Sequence, residues 1–161
     1  MCSKVNILVE VLVLYYTRHG RTEALAKAVG EGVSSVDGAT TILKRVDYAT
    51  VNDFLTCDAV VFGSPNYFSY MAGMMKDFFD KALNIREKVE GKPAVAFTSG
   101  GGSSDSALLS LERMISSFRL NKVAEGVVSS GTPTGRDLSS CRKVGEVLAK
   151  AALKRAEAPK E

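Results

Sequence analysis

Thr17-Arg18-His19-Gly20-Arg21-Thr22 brings two hydroxyls, two guanidiniums, one imidazole and one glycine into six consecutive positions. The segment lies between an apolar run and a helical pattern, and a strand entering a helix through such a turn can hold a phosphate. The N–H groups of the first helical turn point outward there, and the helix dipole favours an anion. Gly20 permits a tight turn and close approach of the backbone. Thr17 and Thr22 offer hydroxyl donors, while Arg18 and Arg21 add positive charge. Taken alone, the segment suits equally well a helix capped by Thr22 with two surface arginines. Two familiar phosphate loops are excluded by spacing, since neither G-x-x-x-x-G-K-[ST] nor G-x-G-x-x-G occurs. His19 is expected beside the anion or in solvent, not in catalysis.

Two further turns follow apolar runs. Ser64-Pro65-Asn66-Tyr67-Phe68 comes after Ala59–Phe62, and Ser99-Gly100-Gly101-Gly102-Ser103 after Ala94–Phe97. Pro65 stiffens its turn, and an aromatic ring there could cover a flat ligand or pack under the next helix. The glycines let main-chain donors come close to a bound group. Met71, Met74 and Met75 have helical spacing, which reads as core packing. Cys57 reads as an inert buried thiol. No proton-transfer dyad or nucleophile triad is visible, so no catalytic residue is assigned. A single histidine and three scattered cysteines give no metal site.

The elements that must position these turns are written in hydrophobic periodicity. Val11–Tyr16, Ala59–Phe62 and Ala94–Phe97 are continuous apolar runs, as expected of strands covered on both faces. Thr40–Val46 is mixed, like an edge strand, and Val123–Val128 is a weaker strand broken at Glu125-Gly126. Between them, apolar residues recur at helical spacing around 25–33, 71–82, 107–118 and 141–151. Residues 46–58 leave room for only a short helix. Strands alternating with helices imply right-handed parallel crossovers and a doubly wound α/β sheet. Ligands of such sheets bind beyond the carboxyl ends of the strands, where the order reverses. The turns at 17–22, 64–70 and 99–104 all lie at that rim.

Bulk properties set the frame. A chain of 161 residues is expected to form one domain. The net charge of +3, spread along the chain, does not point to nucleic acid. No stretch approaches the roughly 20 apolar residues of a membrane span. Unpaired cysteines and the absence of a signal-peptide pattern suit a cytoplasmic protein.

Three motifs carry a family resemblance. Tyr16–Glu23 resembles the T/S-x-x-G-x-T phosphate loop of the flavodoxin superfamily. Gly63–Asp80, G-S-P-N-Y-F-S-Y-M-A-G-M-M-K-D-F-F-D, resembles a stretch of its Trp-repressor-binding-protein-type quinone reductases and small flavodoxin-like proteins. Ser99–Ser103 resembles their glycine-rich loop beside the flavin pyrimidine. The resemblance implies a three-layer sandwich on a five-stranded parallel sheet of order 2-1-3-4-5, with helices on both faces. It implies FMN as cofactor. Thr17, Arg18, His19, Gly20, Arg21 and Thr22 would hold its phosphate. Ser64, Pro65, Asn66, Tyr67 and Phe68 would border the isoalloxazine, and Ser99, Gly100, Gly101, Gly102 and Ser103 its pyrimidine edge.

The resemblance leaves three functions open. One is an electron carrier between redox partner proteins, the second an NAD(P)H:quinone reductase with a small quinone-like acceptor, and the third a cofactor-free interaction module. The carrier is the reading preferred. Insertions that shape the substrate pocket of the longer reductases are largely missing, and no Trp is present to stack on the flavin. A homodimer is compatible with the resemblance, because relatives associate through helices beside the flavin.

Overall fold

Continuous apolar runs become the centre of a parallel sheet, because only a strand covered on both faces can bury every side chain. The structure, a computed structural model, describes residues 6–102 and 104–159. Its elements run β1 (Val9–Tyr15), α1 (Arg21–Ser34), β2 (Ala39–Arg45), α2 (Val51–Thr56), β3 (Ala59–Pro65) and α3 (Gly73–Lys81). A 3-10 turn (Ala82–Ile85) leads to α4 (Arg86–Val89), β4 (Pro93–Ser99), α5 (Ser104–Ser117), β5 (Asn121–Lys122), β6 (Val127–Ser129) and α6 (Gly135–Glu157). The strand order is β2-β1-β3-β4-β5, with every pairing parallel and β6 also on β4. The expected order 2-1-3-4-5 is therefore present.

Alternation along β1 divides the core in two. Val9, Val11, Val13 and Tyr15 pack with Leu25, Val29 and Val33 of α1 and Val144 and Leu148 of α6. Leu12 and Leu14 face the other way, onto Phe54 of α2, Met75, Phe78 and Phe79 of α3, and Leu111 and Ile115 of α5. Helices thus cover both faces and make three layers. On the first face α1 and α6 cross at backbone contact. A Cβ on Gly145 would come within 2.0 Å of the Val29 carbonyl oxygen, and one on Gly32 within 1.9 Å of Arg142 O. That close crossing fixes α1, and with it the turn that precedes α1.

The fifth strand is broken at Glu125-Gly126, as expected, but its bounds differ. Its ladder is carried by Asn121–Lys122 and Val127–Ser129, while most of Val123–Val128 lies outside named strands. Gly126 is the physical reason. A Cβ there would meet Leu108 at 2.6 Å and Ala96 O at 2.9 Å, so the chain presses inward and breaks the pairing. The last helix also starts earlier than its apolar periodicity, at Gly135 behind a Thr134/Asp137 capping box. Among the described residues, no helix is long and apolar enough to cross a membrane.

Candidate functional site

The three turns meet at the carboxyl ends of β1, β3 and β4. Thr17, Arg18, His19, Arg21 and Thr22 from the first, Pro65, Asn66 and Tyr67 from the second, and Ser99 and Gly100 from the third line one cleft of about 240 Å³. Because β2 and β3 flank β1 on opposite sides, this is where the strand order reverses. A wider groove of about 660 Å³ lies elsewhere, between residues 124–128 and the first half of α6. It shares no residue with the cleft, and no set of turns converges on it.

The first turn is built to leave donors open. Gly20 takes φ +93° at the N-cap of α1, and no side chain caps that terminus. Thr17 is buried, and its Oγ1 accepts the Gly20 N–H at 2.9 Å, locking the turn. Thr22 does not cap the helix. Its Oγ1 hydrogen-bonds Ser99 Oγ at 2.7 Å, tying the first turn to the third. Arg18, His19 and Arg21 stand exposed at the cleft mouth and form no ion pair among the described residues. Glu23, the nearest acid on the helix, is engaged by Lys27 at 3.0 Å. The mouth is therefore electropositive.

The second turn is held from below and strained at its tip. Ser64 Oγ donates to Pro65 O at 2.9 Å and accepts Ala72 N–H at 2.8 Å, while Ser110 Oγ accepts Met71 N–H at 3.1 Å. Tyr67 and Tyr70 exchange two main-chain bonds, of 2.9 and 3.1 Å, across a two-residue loop. Phe68 and Ser69 sit in that loop at φ +54° and +64°, a conformation normally left to Gly or Asn. Phe68 is fully solvent-exposed and does not line the cleft. Tyr67 does, packing edge-on against Tyr16 at 6.3 Å. Burial pushes the Tyr67 phenol above its ordinary range, helped by neighbouring Tyr16, with Arg18 pulling the other way. Met71 and Met75 enter the core as expected, but Met74 is exposed.

The third turn completes the cleft. Ser99 is buried, and Gly100 N–H donates to Ser129 O at 3.1 Å. Gly100, at φ +127°, lies so near Asn66 that a Cβ would come within 3.3 Å of it. Ser103 falls outside the described residues. Cys2 does too. Cys57 is buried as expected, its Sγ donating to Phe54 O at 3.2 Å, and burial pushes the thiol up to about 11. Burial likewise pushes Cys141 up to about 12. Neither is a nucleophile at neutral pH. Among the described residues, no group of three or more His, Cys, Asp or Glu could hold a metal ion.

Sequence reasoning missed one supporting contact. Ser129 Oγ donates to Asp137 Oδ2 at 2.9 Å, and the same carboxylate accepts Thr134 N–H at 2.9 Å. The Thr134 backbone bond chiefly holds the Asp137 carboxyl below its usual range. Ser129 thereby anchors the third turn to the start of α6. The signal was present in Thr134-x-x-Asp137, a capping-box spacing.

A parallel sheet ordered 2-1-3-4-5, with three rim turns closing on one cleft at the reversal point, defines a flavodoxin-like protein. The family profile of NADPH-dependent FMN reductases matches residues 48–135. A "Flavodoxin" of Aquifex aeolicus is 34% identical over 157 residues, covering 87% of this chain and 85% of that one. An "NAD(P)H dehydrogenase (quinone)" of Syntrophobacter fumaroxidans is 32% identical, with 77% and 72% covered. A solved flavodoxin, WrbA-like protein from Agrobacterium tumefaciens superposes with a TM-score of 0.80 at 22% identity, covering 91% of this chain and 98% of that one. The chain belongs to the NADPH-dependent FMN reductase family of the flavodoxin-like superfamily.

Proposed function

We propose that this FMN-binding flavodoxin-like redox protein works as an electron carrier, its cleft holding the mononucleotide by phosphate and ring edge. The observation that carries the reading is the chemistry of the donor set. An uncapped helix start at Gly20, two arginines without ion pairs among the described residues and the Thr22–Ser99 hydroxyl pair face one side of the cleft. On the other side, Asn66 Oδ1 and Tyr67 Oη are buried with no hydrogen-bond partner among the described residues. Buried polar atoms left open in a cleft call for a ligand that supplies the missing partners. FMN supplies an anion at one end and a polar ring edge at the other. Residues and cofactor fit.

Bound there, FMN supplies the electron-accepting and electron-donating chemistry, and the chain's own residues bind and orient it. The first-turn N–H groups, Arg18 and Arg21 neutralise the phosphate. Tyr67, braced by Tyr16, offers an aromatic face. At about 240 Å³ the cleft is smaller than the roughly 300–1,000 Å³ of sites that engulf their ligands. That size suits a cofactor gripped at its tail and margin, with part of its ring left open to a partner. Phe68, Tyr70 and Met74, exposed on the second turn and the start of α3, provide apolar surface beside it.

A second reading, an NAD(P)H:quinone reductase, is favoured by the family profile and the quinone dehydrogenase relative. Steady-state oxidation of NADPH with benzoquinone by the FMN-loaded protein separates the two. The carrier reading expects negligible turnover and reduction through a partner reductase. Brisk turnover with NADPH alone would replace it with the enzyme.

A further inference from the structure

The groove of about 660 Å³ beside α6 has one wall of main chain and one of helix. The first wall is the edge of the sheet, since β5 and β6 both pair with β4 and no described strand lies beyond them. Val123 N–H still reaches Ala94 O at 3.2 Å, but the main-chain groups of Ala124, Glu125 and Gly126 bond no described residue. Residues 124–128 hold no lysine or proline, and an open edge of that kind is a template for a further strand. The opposite edge, β2, ends instead in Lys44 and Arg45, which deter such pairing. On the second wall, Val144 and Val147 of α6 face Val127 across the groove and make its floor apolar. Arg136 and Lys143 line the same wall and are exposed. Arg136 has no ion pair among the described residues, and Lys143 reaches only Glu146, at 3.9 Å. The acids of the groove are engaged, Asp137 by Thr134 and Ser129, and the outward Glu125 by Lys122 at 3.6 Å. The groove is apolar at its floor and electropositive at its rim.

We propose that this edge takes up an extended segment of a partner protein as an added strand, with an apolar side chain between two acidic ones facing α6. Main-chain bonds to the open edge hold such a segment, and its side chains give selectivity. Arg136 and Lys143 stand seven residues apart, about 10 Å along the helix axis. On a strand, positions i and i+4 share a face and lie about 13 Å apart, a difference that long side chains close. Acids at those positions therefore meet the two cations, and the residue between them meets Val144 and Val147. The groove shares no residue with the cleft, so the proposal does not rest on the FMN reading.

The test uses the full chain with FMN supplied and a rhodamine-labelled heptapeptide in which glutamate, valine and glutamate alternate with threonines, read by fluorescence anisotropy. A control peptide carries lysine in place of both glutamates. The native chain should bind the acidic peptide at least about tenfold tighter, the effect of two ion pairs made rather than two like charges opposed. Arg136→Glu combined with Lys143→Glu should reverse that preference, and a thermal melt of this variant establishes that it folds. Methylating the main-chain nitrogens of the threonines, or instead those of the other three residues, separates strand pairing from charge alone. One set should abolish binding and the other change it less than about threefold, because alternate N–H groups face opposite sides of a strand. Equal loss from both sets, equal affinity for both peptides, or binding of neither at millimolar concentration would overturn the proposal. Self-association of the native chain in sedimentation, abolished by the same double substitution, would place a second copy in the groove and overturn it as well.

Discussion

The two ends of the sheet treat buried polar groups in opposite ways. At the amino end of β4, Lys92 is buried, yet its ammonium donates to Phe54 O, Leu55 O and Cys57 O at 3.0, 2.7 and 2.6 Å. Those carbonyls close the end of α2 and its exit toward β3, so one cation satisfies a helix terminus. At the carboxyl end, Asn66 Oδ1 and Tyr67 Oη are buried with no hydrogen-bond partner among the described residues. Two non-glycine residues are also held there at positive φ. Satisfied polarity builds the frame. Strain is not peculiar to that rim, since Arg119 at the amino end also takes φ +54°. Among the described residues, unsatisfied polarity of buried side chains is, and it marks the place where something else must bind.

The contrast can be broken by substitution. Lys92→Met strips three carbonyls of their donor and should cost about 3 kcal/mol of stability in urea unfolding. FMN affinity of the folded protein should stay within about threefold, and a large loss would erase the distinction between the ends. Cys57, at the same amino end, adds a pH signature. Its folded pKa is raised to about 11 from 9.0, so its contribution is present below pH 9 and lost as pH rises through about 11. Comparing native protein with Cys57→Ala between pH 8 and 11 should show the native advantage shrinking by roughly 2 kcal/mol. A pH-independent difference would count against a buried thiol.

At the rim the balance should reverse. Thr22→Val removes the 2.7 Å hydroxyl pair and orphans Ser99, costing about 1–2 kcal/mol. FMN affinity should fall about tenfold with it, whereas unchanged affinity would detach the first turn from the third. Ser69→Gly relieves a left-handed non-glycine residue and should raise stability by about 1 kcal/mol. A loss in the thermal melt would mean that the tip is not strained.

Architecture was legible because runs such as Val11–Tyr16 and Ala94–Phe97 have few alternatives to a buried parallel strand. The rim turns were legible because each follows such a run. What stayed hidden depended on tertiary contact. Thr22 reads from sequence as a phosphate donor or a helix cap, but its bond to Ser99, 77 positions away, does not show there. Phe68 reads as an aromatic wall for a ring, but the two-residue loop turns it outward. The break at Glu125-Gly126 was legible, but its cause, Gly126 meeting Leu108 and Ala96, was not.

One comparison bears most directly on the central claim that the rim grips a mononucleotide by its anionic tail. FMN-free protein is titrated in parallel with FMN and with riboflavin, which lacks the phosphate. Charge-assisted contacts from the Gly20–Thr22 helix start, Arg18 and Arg21 should make FMN at least about a hundredfold tighter. Equal affinities, or no binding of FMN, would contradict the account.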